Sequence, residues 1–216
     1  MGCCESMMRV ILGSGSMGSS GDSGSGSVEF GGAASSSKPF TIHDNFRGSH
    51  VSVNASNGKV SGTGLALGCA PVEQDSAYWE ATVTALPPGG TISLGVSRAP
   101  SPEDDKEALL GRSTLGDGEK TWGFSTTDGG TAGTLKEGDV IGIALDFTDL
   151  PMLFFSRGGA PFGQGDELAV MRIRGTVYPA VGVAGGAAVS VAFAAASLAH
   201  HPPRKCQALV VGLDMI

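Results

Sequence analysis

From Lys38 onward the chain reads as short β-rich segments separated by Gly, Pro and Asp turns, and in several of them apolar side chains fall on every second residue. Trp79, Ala81 and Val83 alternate with Tyr78, Glu80, Thr82 and Thr84 before Leu86 meets the turn Pro87-Pro88-Gly89-Gly90. Ile92, Leu94 and Val96 alternate with Ser93 and Gly95. Ile141, Ile143, Leu145 and Phe147 do the same against Val140, Gly142, Ala144 and Asp146, and Val189, Val191 and Phe193 repeat the pattern late in the chain. A period of two turns one side of each run toward a core and the other toward solvent, as a half-buried antiparallel strand requires. Glu103 to Leu110 has room for two helical turns at most. Many short strands with almost no amphipathic helix predict an all-β sandwich or barrel.

Before Lys38 the texture is different. Residues 13–37 are mostly Gly and Ser and offer almost nothing that packs, so they read as a disordered linker with an r.m.s. span of roughly 28 Å. Gly13-Ser14-Gly15-Ser16-Met17-Gly18 follows Val10-Ile11-Leu12 and satisfies G-x-G-x-x-G. A dinucleotide-binding turn needs a helix next, to hold the pyrophosphate at its N-terminus, and Ser19-Ser20-Gly21-Asp22-Ser23-Gly24 cannot make one. Residues 1–12 carry the second strong signal. Met1-Gly2-Cys3-Cys4-Glu5-Ser6 fits the N-myristoylation pattern, with Gly2 as acceptor and Ser6 at the sixth position. Cys3 and Cys4 stand where S-palmitoylation adds a second chain, and two acyl chains convert marginal bilayer binding into stable attachment.

Composition narrows the classes further. The net charge of −7 and a pI near 5.0 exclude nucleic acid as a partner, because phosphate binding needs clustered Lys and Arg. Arg9 is the only base before Lys38, so anchoring must rest on the acyl chains and not on attraction to anionic lipid. No apolar run approaches the roughly 18 residues of a spanning helix, and Met7 to Leu12 is too short for the core of a signal peptide. Cys69 and Cys206 are far apart, which gives neither a disulfide framework nor a metal spacing. The expected address is therefore the cytoplasmic face of a membrane, plasma or flagellar.

Several segments together resemble the SPRY (B30.2-type) family. Asp75-Ser76-Ala77-Tyr78-Trp79-Glu80-Ala81-Thr82-Val83 is similar to the strand that opens those domains, and Ile92 to Val96 to the next one. Leu109-Leu110-Gly111, followed by Thr121-Trp122-Gly123-Phe124, resembles the Leu-Leu-Gly and Ser-Trp-Gly-aromatic stretches. Gly138-Asp139-Val140-Ile141-Gly142-Ile143-Ala144-Leu145-Asp146 is the most specific piece. Phe154 to Gly159 stands at the family's Asn-Gly hairpin, and Val177 to Val181 and Val189 to Phe193 at its closing strands. The resemblance implies a concanavalin-like antiparallel β-sandwich over residues 38–198. Residues 199–216 then form a tail, whose stretch from Ala208 to Leu213 reads as a strand for a sheet edge or as a docking peptide.

No catalytic set emerges. His200-His201 beside Pro202-Pro203 do not converge on one metal, and no Ser sits in a Gly-x-Ser-x-Gly nucleophile elbow. Asp146 reads as an acceptor for turn amides, Trp79 as core, and Cys69 as a small buried hydrophobe. Neither enzyme activity nor a cofactor or metal is expected. The resemblance implies that loops at one end of the sandwich grip a peptide of a partner protein. Carried over, the contact positions are Arg98, Lys106, Leu109 and Arg112 in the first loop and Ala184, Gly185 and Gly186 in the second, with Trp122 beside them. Lys106 replaces an aromatic of the related subgroup, Arg112 replaces a Ser, and the Trp-Gly of the second loop is missing, so that subgroup's own peptide motif is not implied. The alternatives are a substrate-recognition subunit of a ubiquitin ligase, for which the tails carry no recruiting segment, and a lectin, for which no aromatic platform among clustered polar residues stands out.

Overall fold

The computed structural model describes residues 39–129, 132–162 and 169–211, all within the unit Ser36–Ile216. Gly2, Cys3, Cys4 and the linker 13–37 lie outside the described residues. The regular secondary structure of the described residues is nearly all strand. Its strands are Ile42–Arg47 (β1), His50–Asn54 (β2), Lys59–Gly68 (β3), Ser76–Ala85 (β4), Thr91–Ser97 (β5), Thr121–Ser125 (β6) and Val140–Asp146 (β7). Met152–Arg157 (β8), Ala160–Pro161 (β9), Val170–Met171 (β10), Tyr178–Ala184 (β11), Ala188–Ala192 (β12) and Gln207–Ala208 (β13) follow, with one α-helix, Lys106–Leu110 (α1), and single 3-10 turns at Thr126–Asp128, Ala132–Thr134 and Ala195–Ser197.

Two antiparallel layers arise from one continuous ladder. The first layer runs β10-β8-β7-β4-β12-β3 with β2 beyond, and the second runs β1-β3-β11-β5-β6. β3 belongs to both. Lys59 to Ser61 pair with β12, whereas Gly64 to Leu67 pair with β11. The strand turns from one layer to the other at Gly62 and Gly64, whose φ angles of +103° and +133° suit glycine and would strain other residues.

The core lies between the layers and follows the predicted alternation. Trp79, Ala81 and Val83 of β4 point into it, as do Ile92, Leu94 and Val96 of β5, Ile141, Ile143 and Leu145 of β7, and Val189 and Val191 of β12. Asp146 closes β7 by accepting from the Thr148 amide at 2.8 Å and its hydroxyl at 2.7 Å, and these bonds hold its carboxyl below the usual carboxylate range. Cys69 is half-buried against the core and not enclosed in it, and its sulfur takes the Thr41 amide at 3.3 Å.

The alternation leaves out what covers the outward faces. Tyr78 and Glu80, on the outer side of β4, are each only 1% exposed, because residues 199–208 run across them. The tail adds β13 parallel to Ala77-Tyr78, the stretch of β4 that β12 does not reach. On the second layer, Ser93 and Ser97 of β5 are fully buried, and Ser113, in the long segment that joins β5 to β6, lies over Gly182, the register partner of Ser93.

Candidate functional site

That β5–β6 segment is the most elaborated surface of the second layer, and its shape follows from a few side chains. The Asp105 carboxylate accepts from the Glu107 amide at 3.0 Å and the Ala108 amide at 3.2 Å, which starts α1. Five residues later the helix ends where the Gly111 amide bonds the Glu107 carbonyl at 2.8 Å. One face of this turn is apolar. Leu109 and Leu110 drop onto Leu65, Leu67 and Ala180, the outward side chains of β3 and β11, and Leu115 closes the cluster with Phe46 and Tyr178 at its edge. A second small core therefore lies outside the sandwich and pins the segment to the sheet.

Polar anchors fix what the leucines leave free. The Asp117 carboxylate accepts from the amides of Glu119, Lys120 and Thr121 at 2.8–2.9 Å and pairs with Arg112 at 2.8 Å. Partial burial alone would lift this carboxyl, but the three amides and the guanidinium outweigh it and hold it down to about 2. Asp104 is also held at about 2, first by its ion pair with Lys120 and then by the Ser101 amide and hydroxyl. A carboxyl depressed from its ordinary 3.8 stabilises the fold fully above that value and loses the contribution as pH falls through the depressed value. Acid titration should therefore leave the amides of Gly118 to Thr121 protected down to about pH 4 and release them between about pH 4 and 2. Hydrogen exchange that rose already at pH 6 would contradict this origin of the loop's order.

The sequence-predicted contact residues divide into groups. Lys106 is exposed at the start of α1, and Arg112 folds back over the helix end, its Nε donating to the Ala108 carbonyl at 3.1 Å. With Glu103, Asp105 and Glu107 they form an exposed mixed-charge surface. Arg98 turns inward instead. Its Nε donates to the Arg174 carbonyl at 3.1 Å and its guanidinium lies 5.9 Å from the Trp122 ring centre. Two expectations are corrected by burial. Leu109, 3% exposed, belongs to the floor of the loop, and Trp122, 2% exposed, belongs to the core between the layers. Neither side chain is open to a partner.

Ala184, Gly185 and Gly186 form the β11–β12 turn and pack on the turn from Pro87 to Gly90. Ala184 pairs with Thr91 at the start of β5, whereas Arg98 follows Ser97 at its end, so about 20 Å of strand separates that turn from Arg98. Ser113 comes nearer, since its carbonyl oxygen lies over Gly182 so closely that a Cβ there would stand 2.3 Å away.

The first layer carries a feature to which sequence reasoning assigned no role. The buried Glu80 carboxylate accepts from the Ala199 amide at 2.5 Å, the His200 amide at 3.0 Å and the Tyr78 hydroxyl at 2.9 Å, with His200 Nδ1 also at 3.0 Å. An acid between Trp79 and Ala81, in a strand otherwise built for burial, was the available signal. Its partners in the tail stand 119 and 120 residues away.

Comparison with known proteins is consistent with this architecture. The family model described as the SPRY domain matches residues 76–196. None of the curated proteins matches the chain. Among solved structures, the chain is similar to the SPRY domain of human HERC1, with 20% identity over 66% of this chain and 91% of that one and a TM-score of 0.42. The NEUZ (NHR) domain in Neuralized from Drosophila melanogaster shares 11% identity over 74% of this chain and 95% of that one, with a TM-score of 0.47. The TRIM65 PSpry domain shares 11% identity over 71% and 92%, with a TM-score of 0.42.

Proposed function

The chain belongs to the SPRY domain family, and on that premise we propose that it is a non-enzymatic interaction module tethered to the cytoplasmic face of a membrane. Acyl chains on Gly2, Cys3 and Cys4 hold it there, residues 13–37 give it reach, and the β5–β6 loop captures a peptide segment of a partner protein. The observation that carries the capture reading is the loop itself. It is an exposed mixed-charge surface whose backbone is fixed from below by leucines and from the side by Asp104 and Asp117. A surface held in one shape loses little conformational freedom on binding, so more of each contact appears as affinity. Tethering further raises the effective concentration of partners on the same membrane.

Proximity labelling in cells tests both halves together. Gly2→Ala should move the protein to the soluble fraction and replace its membrane neighbours. Lys106→Glu with Arg112→Glu should leave it at the membrane and remove a specific subset of neighbours. Unchanged membrane association of the first variant would defeat the tether, and an unchanged neighbour set in the second would defeat the loop.

A further inference from the structure

Residues 199–211 cross the outer face of the first layer as a strap held by polar bonds more than by burial. Leu209 is its one fully buried side chain, whereas Ala199, His201, Pro203, Arg204, Lys205, Gln207 and Val210 are exposed. The receptor beneath is better built than the strap that fills it. Glu80 presents a carboxylate, 1% exposed, to two consecutive amides of the strap, Ala199 and His200. Further along, the Gln74 carboxamide donates to the Ala208 carbonyl at 3.1 Å and accepts from the Val210 amide at 3.0 Å, gripping both polar groups of an extended backbone. Between the two grips, Ala77-Tyr78 supplies a parallel strand edge to Gln207-Ala208. Beside the strap opens a cavity of about 340 Å³, bounded by Tyr78, Phe154, Pro161 and Phe162 of the body and by His201 and Pro203 of the strap. Phe154 is one of the few large apolar side chains left 42% exposed.

We propose that this face is a second peptide-binding slot, filled in cis by the chain's own C-terminal segment and open to an extended segment of a partner protein when the strap is released. The slot lies on the outer face of the layer that does not carry the β5–β6 loop, so it is independent of the reading above. The strap states the chemistry of the occupant. It has two consecutive free amides for Glu80, a His-Pro-Pro stretch along the aromatic cavity, and after a turn one aliphatic side chain in the place of Leu209. Strand addition of this kind draws its affinity from backbone bonds and its selectivity from side-chain pockets. In cis, the short connection through Ala195–Ser197 gives the strap a high effective concentration, and a partner must outcompete it.

The test uses the full chain carrying a protease site in the exposed Ala195–Ser197 turn, cleaved after folding. A fluorescent peptide of residues 199–211 should then exchange with the freed strap and bind saturably by anisotropy. The same peptide N-methylated at the Ala199 and His200 positions should bind at least about tenfold more weakly, since it cannot donate to a charged acceptor. A second series keeps the chain uncut and lengthens that turn with Gly and Ser. Each extension dilutes the strap near its slot, and peptide affinity should rise accordingly. No binding to cleaved protein that keeps its circular dichroism, affinity unaffected by turn length, or equal affinity of the methylated peptide would each overturn the proposal. So would stable dimers formed by strap exchange between intact copies, which would assign the slot to self-association.

Discussion

Trp79→Ala should lower the free energy of unfolding by about 3–5 kcal/mol, a large fraction of the roughly 5–15 kcal/mol that holds a native domain together. The indole is 1% exposed, stands opposite Ile143 in the β4–β7 register, and shares its inward face with Ala77 and Ala81. Those small neighbours mark the side chain that fills the gap between layers, and alanine would leave a void that surrounding strands cannot close without breaking ladder bonds. Urea denaturation followed by circular dichroism measures it: the midpoint should fall while the slope stays constant, since the unfolded chain exposes nearly the same surface. A loss below about 1 kcal/mol would show that Trp79 is not the centre of the core.

The second large effect is expected at Glu80. Removing its carboxylate in Glu80→Ala strands the Ala199 and His200 amides and the Tyr78 hydroxyl together, a loss of about 3–5 kcal/mol. The strap should come free in the same variant, so limited proteolysis would cut within residues 199–208 before the body is touched. A spectroscopic signature accompanies it. The Tyr78 phenol is pushed up from 10.0 to about 12, first by burial and then by its bond to Glu80. A raised phenol stabilises the fold fully below pH 10 and loses that contribution as pH climbs toward 12. In the variant, absorbance at the phenolate band should show this tyrosine ionising nearer its ordinary value. An unshifted titration with an intact strap would mean that Glu80 holds neither.

Strands β4, β5, β7 and β12 were legible in the sequence because each packs one face and shows it as alternation. The gripping positions were less so, and the reason is geometric. Leu109 looked available because nothing local reveals that Leu65, Leu67 and Ala180 present an apolar patch on the outside of a sheet. Trp122 sat at a strand start beside a long loop, where exposure and burial leave the same local pattern; the register with Val96 turns it inward. β3 escaped notice for a different cause. Its Leu65-Ala66-Leu67 stretch is buried on both faces, so the alternation that marks a strand disappears where the strand matters most. The Glu80 latch joins residues 119 and 120 positions apart in the chain, and periodicity carries no information over that separation. In contrast, Asp146 was readable because a turn carboxylate acts within two residues of itself.

A strand that serves both layers also works as a seam, stitching two fabrics with a single thread. The halves of this body cannot be inherited, shed or evolved apart, because any splice variant or deletion that trims residues 59–68 undoes both sides at once. Anyone dividing the chain into complementing fragments should leave that seam whole and cut in the turn from Pro87 to Gly90. Novelty in this lineage has room to accumulate in what is sewn onto the outside, the loop over one face and the strap over the other.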